Sequence, residues 1–464
     1  MKTFEYVLLG TGQTTGTLLG KLIPQNKSIA VIEGAHVGGS CVNYGCTPTK
    51  TLVASARAAH MARKSDFYGV QTGEISINYD RVRERMNEIR LGSRDGLRKW
   101  MKSTDNVTLF EGFGAFTGKK TLSVNGEEIK GNTIFINVGT RQATPPIEGL
   151  DDVPWLDSER LLELEELPNH LVIIGGGYIG MEYAQIYRRF GCDVTVIQRS
   201  AEVMPQEDRD ISQAIRQVLE DEGVDIRCNT EARKVSSSSE GEGVEVKVVT
   251  SGDEHGTTNT ISGSHLVIAA GRKPNSDRLD LDKAEIKTNE RGFIEVNDYC
   301  LTHTDGVFAL GDVNGEGAFT HTSVNDAEIA LDYLFGGSRS ISQRNTIYGL
   351  FIDPPLGRVG MTEKEALASG KRVMKATRPM SKISRAKEMG ETKGFAKLLV
   401  DADTDQILGA AVLGPGGDEI INMFAAIMHS GIPCKKYREV VLVHPTVSEL
   451  MPFVLDGLEL INEG

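Results

Sequence analysis

The 464-residue chain has only six cysteines, too few for a disulfide-stapled scaffold at this length. It has no run of about 18 apolar residues, so no segment reads as a membrane-spanning helix. Its opening, Met1-Lys2-Thr3-Phe4-Glu5-Tyr6, lacks the charged and apolar regions of a secretory leader. A cytoplasmic protein is the simplest expectation. Positive charge is in deficit: 51 Lys and Arg against 64 Asp and Glu give −13. Neither nucleic acid nor an anionic membrane is therefore expected as a partner. With 39% hydrophobic and 25% charged residues the composition is that of a globular protein. The length predicts about three domains.

Four of the cysteines, Cys192, Cys228, Cys300 and Cys434, stand alone and read as small buried hydrophobes. Cys41 and Cys46 form a close pair inside Gly38-Gly39-Ser40-Cys41-Val42-Asn43-Tyr44-Gly45-Cys46-Thr47-Pro48-Thr49-Lys50. No second Cys/His pair completes a four-ligand set, so the pair does not read as a zinc site and no metal ligands are assigned. In a reducing compartment a close pair points instead to redox chemistry. A helix is predicted after Pro48, and its N-terminal dipole would lower the pKa of a nearby thiol.

Two strand–glycine turn–helix–strand units frame the rest. In the first, Tyr6-Val7-Leu8-Leu9 leads into Gly10 and Gly12, and Ile29-Ala30-Val31-Ile32 ends in Glu33. Gly10 permits the tight turn, Gly12 lets a pyrophosphate approach the helix, and Glu33 can accept from a ribose hydroxyl. Thr15 occupies the place of the third glycine. The second unit is complete, with Gly175, Gly177 and Gly180 after Leu171-Val172-Ile173-Ile174. Its following strand ends in Gln198-Arg199 with no acid, which favours NADPH over NADH without excluding NADH. Two such units predict two different nucleotides.

Helices are expected over Thr51 to Lys64 and Arg81 to Lys102, and an antiparallel hairpin with polar turns over Val235 to Thr260. After Ile341 the strands Phe395 to Val400 and Ile407 to Leu413, then a helix from Glu419 to Ser430, predict a separate α+β domain. Gly311-Asp312 closes the run Gly306 to Leu310 and offers a carboxylate to a polyol or to the next helix. His444-Pro445-Thr446-Val447-Ser448-Glu449 sets a carboxylate five residues after an imidazole it could orient for proton transfer.

Taken in order, five stretches resemble the class I pyridine nucleotide-disulfide oxidoreductases, a family that includes glutathione reductase, dihydrolipoamide dehydrogenase and mercuric reductase. They are Gly38 to Lys50, Gly175 to Glu182, Ala270-Gly271-Arg272-Lys273-Pro274-Asn275, Phe308 to Asp312, and His444 to Glu449. The resemblance implies an α/β fold with two Rossmann-like nucleotide-binding domains and a C-terminal α+β dimerisation domain. On that pattern residues 1–150 and 271–340 form the FAD domain, 151–270 the NAD(P) domain, and 341–464 the dimerisation domain of a homodimer. It implies that Cys41 meets the substrate, Cys46 contacts the flavin, and the two form a redox-active disulfide. Lys50 and Glu182 would pair near the flavin, Asp312 would bind its ribityl chain, and Tyr178 would cover it until nicotinamide enters. Gly39, Gly114, Gly139 and Gly271 would complete the cofactor contacts. His444 and Glu449 would act on the active site of the other subunit.

The segment Pro354-Pro355-Leu356-Gly357-Arg358-Val359-Gly360-Met361-Thr362 with Ser384-Arg385-Ala386 resembles a mercuric reductase-like, FAD-containing branch, similar to flavoproteins of hypochlorite response that reduce copper. The end, Glu459-Leu460-Ile461-Asn462-Glu463-Gly464, has no vicinal cysteine pair, which argues against efficient mercury handling. The expected activity is NADPH-dependent reduction of a thiol-reactive acceptor, either a metal ion such as Hg(II) or Cu(II) or a small disulfide. Dihydrolipoamide dehydrogenation, quinone or oxygen reduction, and a non-catalytic flavin–dithiol sensor are the competing expectations.

Overall fold

A computed structural model describes residues 1–238, 241, 243–251 and 258–461. The central sheet of the N-terminal half runs in the order Val107–Glu111, Ile29–Glu33, Lys2–Leu9, Glu127–Ile136, with Val307–Ala309 also paired to the last of these. All of these pairings are parallel. Strands buried on both faces read as continuous apolar runs, and Val7, Leu8, Ala30 and Val31 are fully buried. Gly114–Gly118 and Thr121–Val124 extend the sheet antiparallel.

A second parallel sheet orders Asp225–Arg227, Asp193–Ile197, His170–Ile174 and His265–Ile268. Beside it, Thr230–Ser237, Val244–Thr250 and Thr258–Gly263 form a three-stranded antiparallel sheet. The expected hairpin over 235–260 is therefore a meander. Val244, Val246 and Val248 alternate inward on its middle strand, which pairs on both sides. Much of the predicted polar turns, residues 239, 240, 242 and 252–257, lies outside the described residues. The strands Thr140–Gln142 and Arg272–Pro274 pair antiparallel near the chain crossings between these sheets.

The C-terminal sheet is six-stranded and antiparallel, in the order Ile347–Leu350, Leu356–Gly360, Ile407–Leu413, Phe395–Asp401, Val373–Pro379, Glu459–Ile461. The helix Gly417–His429 packs Ile420, Ile421 and Phe424 into the core on this sheet. No helix among the described residues is long and apolar enough to cross a membrane.

Buried charge joins this sheet to the segment from Glu207 to Asp210. Arg358 is 2% exposed and pairs with Glu207 at 3.2 Å and Asp208 at 3.0 Å. Lys397, 1% exposed, reaches Asp208 at 3.0 Å and Asp210 at 2.5 Å. Tyr348 donates to Glu207 at 2.7 Å. Removing one member of a buried ionic set leaves the others desolvated and unpaired, which costs about 3–5 kcal/mol. Arg358→Ala is accordingly expected to lower the urea midpoint by that equivalent, whereas Arg372→Ala, on an exposed pair with Asp403, changes it by less than about 1 kcal/mol.

Candidate active site

Cys41 lies in the short helix Gly39–Asn43, and Cys46 is the first residue of the helix Cys46–Arg63. The helix starts ahead of Pro48 rather than after it. Pro48 falls in the first turn, where its missing N–H would have had no helical partner. That shift puts Cys46 at the positive end of the helix dipole. Both sulfurs are free thiols here, Cys46 exposed and Cys41 half-buried. The hydroxyl of Thr320 lies 3.1 Å from Cys41 Sγ and 3.4 Å from Cys46 Sγ.

Their proton affinities are split. A hydrogen bond from Cys41, aided by Thr320 and the Lys50 charge against the opposing effect of burial, brings Cys46 down to about 6. The same bond between the thiols, then burial, pushes Cys41 well above the ordinary thiol range. The split favours negative charge on Cys46 over Cys41. Lys50 Nζ sits 2.6 Å from Glu182 Oε2, and Glu182 is buried. Glu182 Oε1 accepts from the Phe351 amide at 2.9 Å, and Lys50 lies 4.5 Å from the Phe351 ring centre. The ion pair is thus fixed in place from both ends.

The first glycine turn abuts the dithiol segment. Thr11 Oγ1 accepts from the Gly38 amide at 2.9 Å, and a Cβ on Gly39 would come within 2.9 Å of Gly12 Cα. Gly10 has φ +96°, and a side chain there would strike the Asn137 carbonyl at 2.4 Å. Glu33 accepts from the Thr11 and Ala35 amides at 3.0 and 2.8 Å. Three polar atoms around this turn, Thr14 Oγ1, Thr15 Oγ1 and Asn137 Nδ2, are buried without a protein partner. Thr14 and Thr15 open the helix Thr14–Leu22, whose first amides also lack a side-chain cap. Orphaned donors at a helix N-terminus are what a pyrophosphate satisfies, so the residues present fit a dinucleotide. Thr15, in the third-glycine position, supplies one of them.

Asp312 accepts from Thr140 Oγ1 at 2.9 Å, and Arg272 Nε donates to the same hydroxyl at 2.8 Å. Gly139 and Gly271 both have positive φ in the adjoining loops. Gly114 is constrained by packing, since a Cβ would meet Leu9 Cδ1 at 2.8 Å and Ile32 Cγ2 at 3.0 Å.

In the second turn Gly180 is obligatory: a Cβ would fall 2.0 Å from the Gly175 carbonyl. Gly175 has φ +118°, and Gly177 has open space around it. Tyr178 begins the helix Tyr178–Phe190 and packs edge-on against Phe319 and Tyr348, at 5.5 and 5.6 Å between centroids. Gln198 turns inward, its Oε1 accepting from the Gly176 amide at 3.0 Å. Arg199, just past the strand end, is exposed and has no ion-pair or hydrogen-bond partner among the described residues.

His444 Nδ1 lies 2.9 and 3.0 Å from the two Glu449 oxygens, with the imidazole 75% exposed. Among the described residues it makes no hydrogen bond to either cysteine. Val441 and Val443 beside it are 94% and 76% exposed. The structure therefore gathers Cys41, Cys46, Lys50 and Glu182 into one cluster and leaves His444 and Glu449 on an apolar surface. Thr320 and Phe351 join the cluster, and Phe319 and Tyr348 pack on Tyr178, without any local sequence signal.

A family model described as "Pyridine nucleotide-disulphide oxidoreductase" matches residues 4–327, and that of the family's dimerisation domain matches residues 347–453. The chain is 36% identical over 458 residues to the "Probable pyridine nucleotide-disulfide oxidoreductase RclA" of Escherichia coli, covering 97% of this chain and 98% of that one. It is 30% identical over 449 residues to a "Mercuric reductase" of Bacillus cereus, covering 96% of this chain and 70% of that protein. A solved structure titled as the Cu(II) complex of the HOCl-induced flavoprotein disulfide reductase RclA from Escherichia coli superposes with a TM-score of 0.88 at 35% identity, covering 98% of this chain and 99% of the other.

Proposed function

The chain belongs to the pyridine nucleotide-disulphide oxidoreductase family, and on that premise we propose that it carries electrons from NADPH through FAD and the Cys41–Cys46 pair to a thiol-reactive metal ion, Cu(II) before Hg(II), with a small disulfide as the alternative acceptor. One observation carries this reading: two neighbouring sulfurs with opposite proton affinities, the more acidic one at a helix N-terminus beside the Lys50–Glu182 pair. FAD, when bound, supplies the two-electron step between nicotinamide and sulfur.

The chain's own groups do the rest. Cys46, the ready thiolate, serves the flavin side, and Cys41 serves the acceptor side as ligand or nucleophile. Lys50 holds positive charge near Cys46 while Glu182 fixes its position. Thr14, Thr15 and the Gly10–Gly12 turn would hold the FAD pyrophosphate, Glu33 its ribose and Asp312 its ribityl chain. Gly175, Gly177 and Gly180 would serve the nicotinamide nucleotide, and Tyr178, packed on Phe319, would shield the flavin. The molecule works as a homodimer, with His444 and Glu449 of one protomer moving protons at the dithiol of its partner. The Cu(II) complex of the RclA structure supports copper as the acceptor class.

The acceptor is tested by following NADPH consumption by the FAD-loaded protein with Cu(II), Hg(II), lipoamide and glutathione disulfide. Turnover with a metal ion and neither disulfide supports the proposal, and turnover with lipoamide alone makes the chain a dihydrolipoamide dehydrogenase. Arg199, unpaired at the strand end, carries the NADPH preference. One charge-assisted hydrogen bond is worth about 1.5–3 kcal/mol, so Arg199→Ala is expected to raise KM for NADPH about ten- to a hundredfold and leave KM for NADH unchanged.

A further inference from the structure

Three aromatic rings from distant parts of the chain meet at the second glycine turn. The Phe319 and Tyr348 rings stack at 5.4 Å between centroids with a 13° tilt, and Tyr178 stands nearly perpendicular to both, at 88° and 84°. Phe319 leads directly into Thr320, whose hydroxyl donates to Cys41 Sγ at 3.1 Å, so the rings lie next to the dithiol.

Two of the rings are anchored and the third can swing. Tyr348 belongs to the strand Ile347–Leu350, where it pairs in register with Arg358 of the neighbouring strand. Residues directly opposite on paired strands share a face, and these two converge on the buried Glu207. Tyr348 donates to Glu207 Oε1 at 2.7 Å, and Arg358 pairs with Oε2 at 3.2 Å. The Tyr348 ring is thus held by its strand, by its hydroxyl and on its face. Phe319 also stacks on His321 at 5.5 Å, and His321 Nε2 donates to the Ile347 carbonyl at 2.5 Å, which ties the start of the helix Thr320–Leu334 to the same strand. Tyr178 is half-buried at the first residue of its helix, and the adjoining Gly177 has open space around it. Rotation of the Tyr178 side chain is the motion that breaks both edge contacts.

Resting on the reading of Tyr178 as the flavin's cover, we propose that Tyr348 is a positioning residue for nicotinamide entry: its anchored ring holds Tyr178 in the covering position. A nicotinamide that reaches the flavin takes the place of the Tyr178 ring, so both edge contacts must break before it binds. Part of the nucleotide's affinity is lost to them, as for any ligand whose binding-competent conformer is only a fraction of the population. The hold comes from the C-terminal sheet, through Arg358 and Glu207, and not from the glycine turn that carries Tyr178.

The test is calorimetry on the oxidised FAD-loaded protein with two ligands: tetrahydro-NADP, which has the nicotinamide ring but delivers no hydride, and phospho-ADP-ribose, which lacks that ring. Loss of one edge-on ring pair is expected to make Tyr348→Leu bind tetrahydro-NADP about three- to tenfold more tightly. Phospho-ADP-ribose is expected to bind this variant as it binds the wild type, while iodide quenches the flavin fluorescence more strongly. Tyr348→Phe keeps the ring and its stacking and is expected to stay near wild type in all three measurements. Because Tyr348 acts through Tyr178, the double variant Tyr178→Ala/Tyr348→Leu is expected to match Tyr178→Ala alone. If Tyr348→Leu fails to load FAD, Tyr348→Met, which refills the volume without a ring, takes its place. Unchanged tetrahydro-NADP affinity in the ringless variant overturns the proposal. So does an equal change with both ligands, an equal change in Tyr348→Phe, or additive effects in the double variant. If Tyr178→Ala itself leaves tetrahydro-NADP affinity and flavin quenching unchanged, the covering role falls and takes this one with it. If Tyr178→Ala shifts both while the ringless Tyr348 variant is silent, only the role of Tyr348 falls.

Discussion

Cys41→Ser is expected to cut NADPH-dependent acceptor reduction by at least about 10³-fold, the scale on which loss of a covalent nucleophile registers. The physical reason is that serine oxygen neither ionises near neutral pH nor forms the second half of a disulfide. NADPH would still reduce the bound flavin in this variant, so rapid-mixing spectra should show flavin reduction at the wild-type rate followed by no transfer to the acceptor. That split separates a relay from a simple structural role. The same relay has a pH signature. Cys46 is lowered to about 6, chiefly by the bond from Cys41, so its thiolate is present above that pH and is lost as pH falls through it. Acceptor reduction should therefore decline on the acid side of about 6 in the wild type. A Cys41→Ser protein that keeps its acceptor activity would instead place electron exit at the flavin itself and make both sulfurs bystanders.

The second large effect concerns His444. A positioned acid–base group contributes about 10²–10⁴-fold, and His444→Ala is expected to lose that much of the acceptor half-reaction while flavin reduction by NADPH is preserved. Glu449→Gln should lose less, because the amide can still orient the ring through a hydrogen bond but no longer stabilises its charged form. Within one chain His444 hydrogen-bonds to Glu449 and, among the described residues, to neither cysteine. Its neighbours Val441 and Val443 present an apolar surface of the kind that marks a protein contact. Protomers carrying Cys41→Ser, mixed and reassociated with protomers carrying His444→Ala, should therefore regain activity, since one site of each hybrid dimer is complete. Absence of recovery in demonstrated hybrids would return His444 to its own chain's dithiol or remove it from the reaction.

Some of this was legible in the sequence, for identifiable reasons. Both glycine turns, the Cys41–Cys46 segment and the strand Ile407–Leu413 are local patterns: the residues that define each lie within a few positions of one another. The helices expected over Thr51–Lys64 and Arg81–Lys102 occur as Cys46–Arg63 and Tyr79–Lys102, with the difference almost wholly at their starts. The sequence places the helix after Pro48, whereas in the structure Pro48 sits inside its first turn, where it costs no hydrogen bond. Gln198 was expected to help choose the nucleotide, and it is instead buried, bonding to Gly176 of the glycine turn.

What escaped the sequence is non-local. Thr320 lies 279 positions from Cys41, and no spacing rule connects a threonine at a helix start with a distant sulfur. Arg358 and Lys397 look like ordinary strand charges until the fold buries them against Glu207, Asp208 and Asp210. Their partners come from another part of the chain, and only tertiary packing turns solvated side chains into an internal ionic cluster.

Cys41 and Cys46 together are expected to act as one two-electron centre fed by NADPH. This is tested most directly by alkylating the FAD-loaded protein anaerobically before and after NADPH is added, and mapping the adducts. Cys41 and Cys46 are expected to be protected as a disulfide in the oxidised protein, and both to become labelled after NADPH. Identical labelling of the two cysteines before and after NADPH, with the flavin reduced in between, would contradict it.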